Sequence, residues 1–369
     1  VENEYYAVSL GPDGSLTLLD KSSNRSYSGI NAFLEDGDAG DEYNYSPPYV
    51  DVKYRAYPVS ASATSYGDWG ELVLNYSLKV PSSLDGRKRS SNTADFQFKC
   101  AVRLYSGVKR VDFRVEVDNP VKDHRLRVAF PLDGAVKVTA STAFGQVEHA
   151  YGEFPDGKGW AEAPAKNYAF KKWAAISTSA GDGLMLAARG LYECWGEDVD
   201  GRSSLVLTLF RGVGWLSRSD LITRKGGAGP DIATPLSQLN KKLSFDYSLV
   251  PFEGQIPYQS AEEFCRPLLA STFVGGSQEP KLPPSASLVS IPAGLVLSAL
   301  KPSEDKKAVI LRAYNPTSST VKGKISTIFK VTKVFVSNMN EDAGAELPFD
   351  QGCEVEVPAS GILTLKMVL

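Results

Sequence analysis

Val111-Asp112-Phe113-Arg114-Val115-Glu116-Val117 sets an apolar residue against a charged one at every step. Side chains of an extended strand point to opposite faces in turn, so the run buries four large apolar groups and wets three charges. That pattern belongs to antiparallel sheets with one solvated face. Comparable runs recur at short intervals: residues 50–57, 71–80 and 95–105 before it, then 125–130, 184–188, 204–211 and 242–249. Near the start, residues 4–10 and 15–20 flank Gly11-Pro12-Asp13-Gly14, which reads as a hairpin with its turn residues in place. Helix is scarce. Ser260-Ala261-Glu262-Glu263 has the spacing of a capping box, but Pro267 stops any helix within about two turns.

Composition agrees with an all-β chain. Of 369 residues, 32 are glycine and 22 proline, enough for many turns, while 43% hydrophobic and 22% charged residues suit a globular core. The clearest linker is Gly275-Gly276-Ser277-Gln278-Glu279-Pro280 with Pro283-Pro284 behind it. The expected organisation is a large antiparallel β-sandwich over residues 1–272, a linker over 273–286 and a small immunoglobulin-like β-sandwich over 287–369. A net charge of −3 argues against nucleic-acid partners, which need a basic stripe. Arg87-Lys88-Arg89 is too short to supply one. No membrane partner is expected either, because prolines and serines break up the uncharged residues 282–300. Cys100, Cys194, Cys265 and Cys353 stand singly, which fits buried thiols in a reducing, cytoplasmic setting better than zinc or redox motifs. The chain starts Val1-Glu2-Asn3-Glu4, with no signal peptide and no initiator methionine, as a piece of a longer polypeptide would.

Two stretches carry candidate chemistry. The first is Glu35-Asp36-Gly37-Asp38-Ala39-Gly40-Asp41-Glu42-Tyr43-Asn44-Tyr45-Ser46-Pro47-Pro48, five carboxylates within eight positions. Extended backbone after Asp41 would aim Asp41, Tyr43 and Tyr45 to one side, Glu42 and Asn44 to the other. A calcium-loop template fails here, with Gly40 at the fifth ligand, Asp41 at the turn glycine and Pro47 at the twelfth position. Adjacent Asp41 and Glu42 are also a poor pair of glycosidase carboxylates, which must flank the bond they cut. The second stretch is Gly214-Trp215-Leu216-Ser217-Arg218-Ser219-Asp220 with Gly226-Gly227-Ala228-Gly229-Pro230. It lacks a Walker or Rossmann pattern, and an arginine on such a polar loop suits hydroxyl-rich ligands. His124 and His149 are the only histidines. They would serve a mutarotase-like sugar epimerase only if they met, and His124 reads more simply as locally hydrogen-bonded.

Together these stretches, with Lys122-Asp123-His124-Arg125-Leu126-Arg127-Val128, Phe130-Pro131 and the later Arg312-Ala313-Tyr314-Asn315-Pro316, resemble the C-terminal β-region of glycoside hydrolase family 38, the α-mannosidases. The wording is nearest to the bacterial branch, which includes mannosylglycerate hydrolase. The resemblance implies a supersandwich of the mutarotase-like kind, and a retaining reaction through an aspartate nucleophile. It also implies a zinc-containing barrel-like catalytic domain and a helical bundle ahead of the β-region. The His-x-Asp pair that holds zinc there does not occur in this sequence, so no catalytic residue, metal ligand or cofactor is expected in this chain, and alone it is expected to be inactive. The family's substrate-contacting tyrosine and arginine correspond to Tyr43 and Arg218, with Asp41 and Glu42 as neighbours. The implied partners are an α-mannoside and the N-terminal catalytic domain of the same polypeptide, with homo-oligomer formation left open. A free-standing carbohydrate-binding module is the alternative, and it needs exposed platforms at Trp160, Trp173 and Trp195.

Overall fold

The structure is a computed structural model and describes residues 1–266 and 287–369. The chain divides into two compact units, Val1–Ala140 with Glu148–Cys265, and Arg266–Leu369 with Ser141–Val147. The expected linker at 273–286 and the helix stop at Pro267 lie outside the described residues.

In the first unit Val111–Asp118 is an inner strand of a nine-stranded antiparallel sheet, paired with Thr93–Tyr105 on one side and Lys242–Glu253 on the other. Its alternation works as expected. Val111, Phe113, Val115 and Val117 are buried, while Asp112, Arg114 and Glu116 face outward and meet cross-strand charges such as Asp246. A six-stranded sheet runs Asn167–Ala169, Glu193–Val199, Arg202–Gly212, His124–Pro131, Ala32–Gly37, Tyr54–Ala56. The two sheets share one core. Phe113 meets Phe130 at 5.9 Å, Phe245 stacks on Phe210 at 5.9 Å, and Phe33 sits edge-on to Phe98 at 4.9 Å. Truncating such a ring removes both transfer energy and packing, about 3–5 kcal/mol for Phe33→Ala. The hairpin expected at the start forms from Tyr6–Leu10 and Leu16–Asp20, and Arg25–Ile30 completes a three-stranded sheet.

Two expectations need correction. Residues 50–57 shrink to the three-residue strand Tyr54–Ala56, because Tyr49 and Val50 instead bond the Arg87–Arg89 segment. The helix spans Tyr258–Cys265 and begins two residues before Ser260, so Ser260 does not cap it. Its Ala261 and Phe264 pack with Trp173, Met185 and Val250 in a second apolar cluster. The second unit holds a five-stranded sheet, Val296–Pro302, Ala308–Tyr314, Ile362–Val368, Lys333–Ser337, Ala343–Leu347, and a three-stranded one, Val289–Ser290, Val321–Thr327, Cys353–Val357. They enclose Leu311, Ile325, Val334, Val355, Leu365 and Met367, the sandwich that the sequence pattern predicts.

Candidate functional site

The two unusual stretches leave the six-stranded sheet side by side. His124 pairs with Gly37 on one flank and with Gly212 on the other, so Ala32–Gly37 and Arg202–Gly212 end level with each other across one intervening strand. Strand spacing sets the two exits about 10 Å apart. Residues some 175 positions apart in sequence thereby enter one cluster of loops.

Four of the five clustered carboxylates point into protein. Glu35 accepts from Arg89 Nη2 at 2.7 Å and lies 3.1 Å from His124 Nδ1. Asp36 accepts from Arg125 Nε and Nη2 at 2.7 and 2.9 Å and from Arg127 Nη2 at 2.8 Å. Asp38 accepts from Arg211 Nε at 2.6 Å, and Asp41 from Arg224 Nη2 at 2.5 Å. All four are buried, and a buried carboxylate without its partner is unfavourable by several kcal/mol. The arginines are thus a condition of the fold. Burial pushes Asp36 upward, but the charges of Arg125 and Arg127 outweigh it and leave its pKa below the ordinary value. Arg125 in turn lies 3.5 Å from the centre of the Tyr45 ring and 5.0 Å from that of Trp195, a cation in the corner where these two edge-to-face rings meet.

Asp41 ties the two loops together. Its Oδ1 accepts the backbone N–H groups of Tyr43 at 3.0 Å and Asn44 at 2.8 Å. Its Oδ2 accepts the backbone N–H of Arg218 at 2.9 Å besides Arg224. The residue is 0% exposed. Burial raises its pKa, yet the Arg224 hydrogen bond and the backbone donors of Asn44 and Arg218 overcome this and hold it below the usual carboxylate range. The turn leaves no room for a side chain at Gly40, where a Cβ would fall 2.0 Å from the Asn44 carbonyl oxygen. This tight turn replaces the strand expected after Asp41. Tyr43 emerges from it 55% exposed, over the backbone of Gly229. Ser217 Oγ, buried beneath, accepts the N–H groups of Ala228 and Gly229 at 2.9 and 3.1 Å and shapes that glycine turn.

Arg218 is half-hidden and forms a two-point pair with Asp220, Nε to Oδ1 at 2.9 Å and Nη2 to Oδ2 at 2.8 Å. The fork still has Nη1 to offer. Glu42 is exposed, its N–H donating to the Trp215 carbonyl at 3.1 Å and its carboxylate accepting from Ser237 Oγ at 2.5 Å. Of the four residues singled out in sequence, Tyr43 and Glu42 are therefore at the surface, Arg218 is partly so, and Asp41 is wholly internal. A third loop joins them. Ala163 N–H donates to Thr223, Lys225 N–H to Ala161, and Asn44 Nδ2 to Glu162. Arg224 and this loop carry no motif, and only the Gly157-Lys158-Gly159 run before Trp160 signals a tight turn there.

The other candidates separate. His124 is fully buried, with Nε2 3.0 Å from Asn119 Oδ1, whereas His149 lies on Gln146–Ala150 at the edge of the other sheet and stacks on Tyr168. They share no partner, so a two-histidine epimerase site does not form. Trp160 is exposed, but Trp173 and Trp195 are buried, which removes two of the three platforms that a binding module would use. Among the described residues no group of three or more His, Cys, Asp or Glu could hold a metal. With the acidic stretch taken up by arginines, the residues present do not fit a zinc site.

The chain is similar to known proteins in sequence and in fold. Residues 294–365 match "Glycosyl hydrolases family 38 C-terminal beta sandwich domain" and residues 1–215 match "Glycosyl hydrolases family 38 C-terminal domain". A Halalkalibacterium halodurans protein named "Putative mannosylglycerate hydrolase" is 27% identical over a 351-position match that covers 86% of this chain and 36% of that protein. Two solved structures from Enterococcus faecalis have the same fold. An alpha-mannosidase of strain V583 is 22% identical with a TM-score of 0.81, over 99% of this chain and 42% of its own. A protein in the Glycosyl Hydrolase Family 38 is 21% identical with a TM-score of 0.77, over 99% and 43%. The chain spans less than half the length of each of these relatives. Since one match alone takes in more than half of its residues, the chain belongs to glycosyl hydrolases family 38, by that family's C-terminal β-sandwich domains.

Proposed function

We propose that this chain, as residues 1–272 and 287–369 joined by a linker, is the C-terminal β-sandwich portion of a retaining α-mannosidase, and that it closes one side of the mannose site with Tyr43 and Arg218. Asp41 and Glu42 are their neighbours, Asp41 as a positioning residue. The observation that supports this most is the Asp41 carboxylate, which accepts the backbone N–H of both Tyr43 and Arg218. Two residues so fixed to a single buried group present a phenol and a guanidinium from one preformed surface, as binding of a hydroxyl-rich ring requires.

The nucleophile and zinc lie, on this reading, in an N-terminal catalytic domain of the same polypeptide. The four cysteines are free, which fits a cytoplasmic enzyme. The chain alone, given zinc and an aryl α-mannoside, is expected to show no turnover, and the complete polypeptide to hydrolyse it. Turnover by the chain by itself would sink the proposal. In the complete polypeptide Tyr43→Phe is expected to lower kcat/KM about tenfold, equivalent to about 1.4 kcal/mol.

A further inference from the structure

Trp160 is 56% exposed, although a large aromatic ring left in water forgoes most of its favourable burial. It is not a loose surface residue. Its own N–H donates to Gly157 O at 2.9 Å, closing a turn in which Gly157 and Gly159 take positive φ angles of 63° and 81°. Gly157 packs so tightly on Pro164 that a Cβ there would come within 2.3 Å of the proline ring. Immediately beyond Trp160, Ala161 O accepts from Lys225 N–H at 2.9 Å and Ala163 N–H donates to Thr223 O at 2.7 Å. Glu162 bonds both ways into the cluster, pairing in register with Arg224 and accepting from Asn44. The indole is thus mounted on a loop fixed to the two segments that carry Tyr43 and Arg218.

We propose that Trp160 is the platform for the saccharide unit on the leaving side of the scissile bond, and so a specificity-determining residue for disaccharide substrates. The proposal rests on the mannosidase reading above. An indole face is apolar and electron-rich, and it suits the C–H face of a pyranose, leaving the ring's hydroxyls to polar partners. Tyr43 and Arg218 are polar-tipped and tied to the Asp41 clamp, which suits the mannose itself. Trp160 stands on the third loop and offers area without a charge, which suits a neighbouring sugar.

The test uses the complete polypeptide and two substrates, α-mannosyl fluoride, which has no leaving sugar, and the α-linked mannobiose that the wild type hydrolyses fastest. Trp160→Ala is expected to reduce the ratio of kcat/KM for mannobiose over fluoride about tenfold, expressed mainly in KM. Trp160→Tyr, which keeps an aromatic face, restores most of the ratio. A ratio within about threefold of wild type for Trp160→Ala, in an enzyme that still responds to Tyr43→Phe, overturns this inference and leaves the mannosidase reading standing. A wild-type polypeptide inactive on both substrates overturns the two together.

Discussion

Replacing Asp41 with Asn tests whether one buried carboxylate organises the site. The substitution is nearly isosteric and keeps an acceptor for the Tyr43 and Asn44 N–H groups. At the Oδ2 position, however, it sets an NH2 against two donors, the Arg218 N–H at 2.9 Å and Arg224 Nη2 at 2.5 Å. Arg224 is itself buried, so it becomes an uncompensated charge. Breaking one side of a buried pair costs about 3–5 kcal/mol, and the stranded backbone donor falls within that figure. Taking a urea dependence of about 3 kcal/mol per molar, the unfolding midpoint of the first unit should drop by more than about 1 M. The pH dependence is a second readout. The folded pKa of Asp41 is depressed, so its contribution is present above the unfolded value near about 4 and is lost as pH falls through the folded one. The gap between wild type and Asp41→Asn should therefore narrow below about pH 4. A loss under about 1 kcal/mol at neutral pH, or a gap that stays constant into acid, would refute the clamp.

Other outcomes follow from the same geometry. Gly40→Ala must displace backbone, given 2.0 Å to the Asn44 carbonyl, and should destabilise by about 1–3 kcal/mol in urea titration. Gly229→Ala brings a methyl to 3.3 Å from the Tyr43 hydroxyl. It should lower kcat/KM of the complete polypeptide severalfold while moving the unfolding midpoint little, because only the tyrosine has to shift. Arg125→Lys keeps the charge but loses the two-point bond to Asp36 and the flat contact with Tyr45. A cost of about 2–4 kcal/mol in denaturation is expected, and a neutral result would show that charge alone suffices there.

The strands were legible because alternation is local. Val111 to Val117 declares its two faces without reference to any other part of the chain, and the structure agrees. The acidic stretch was not legible in the same way. Its partners stand 89 positions off for Asp36 and Arg125, and 183 for Asp41 and Arg224. No window of sequence contains both members. Five carboxylates within eight positions consequently carry no local sign that four of them are internal. His124 shows the boundary between the two cases, for its bond to Asn119 is five residues away and was foreseeable, while its contact with Glu35 was not. Asp41 and Tyr43 were expected on one extended face, but the Asp41 carboxylate captures the next backbone donors and bends the chain instead.

The pairing of Glu35, Asp36, Asp38 and Asp41 with arginines also constrains how such a chain can change over generations. Losing one member strands a buried charge, whereas replacing both by apolar residues of similar size is close to neutral. Single steps along that path are therefore much more harmful than the double step. Even the double step leaves something stranded here, since Asp36 also holds Arg127, Asp38 the Gly40 N–H, and Asp41 the N–H groups of Tyr43, Asn44 and Arg218. A lone substitution at 36, 38, 41, 125, 211 or 224 should therefore be rare, and a paired one should come with changes at those further partners.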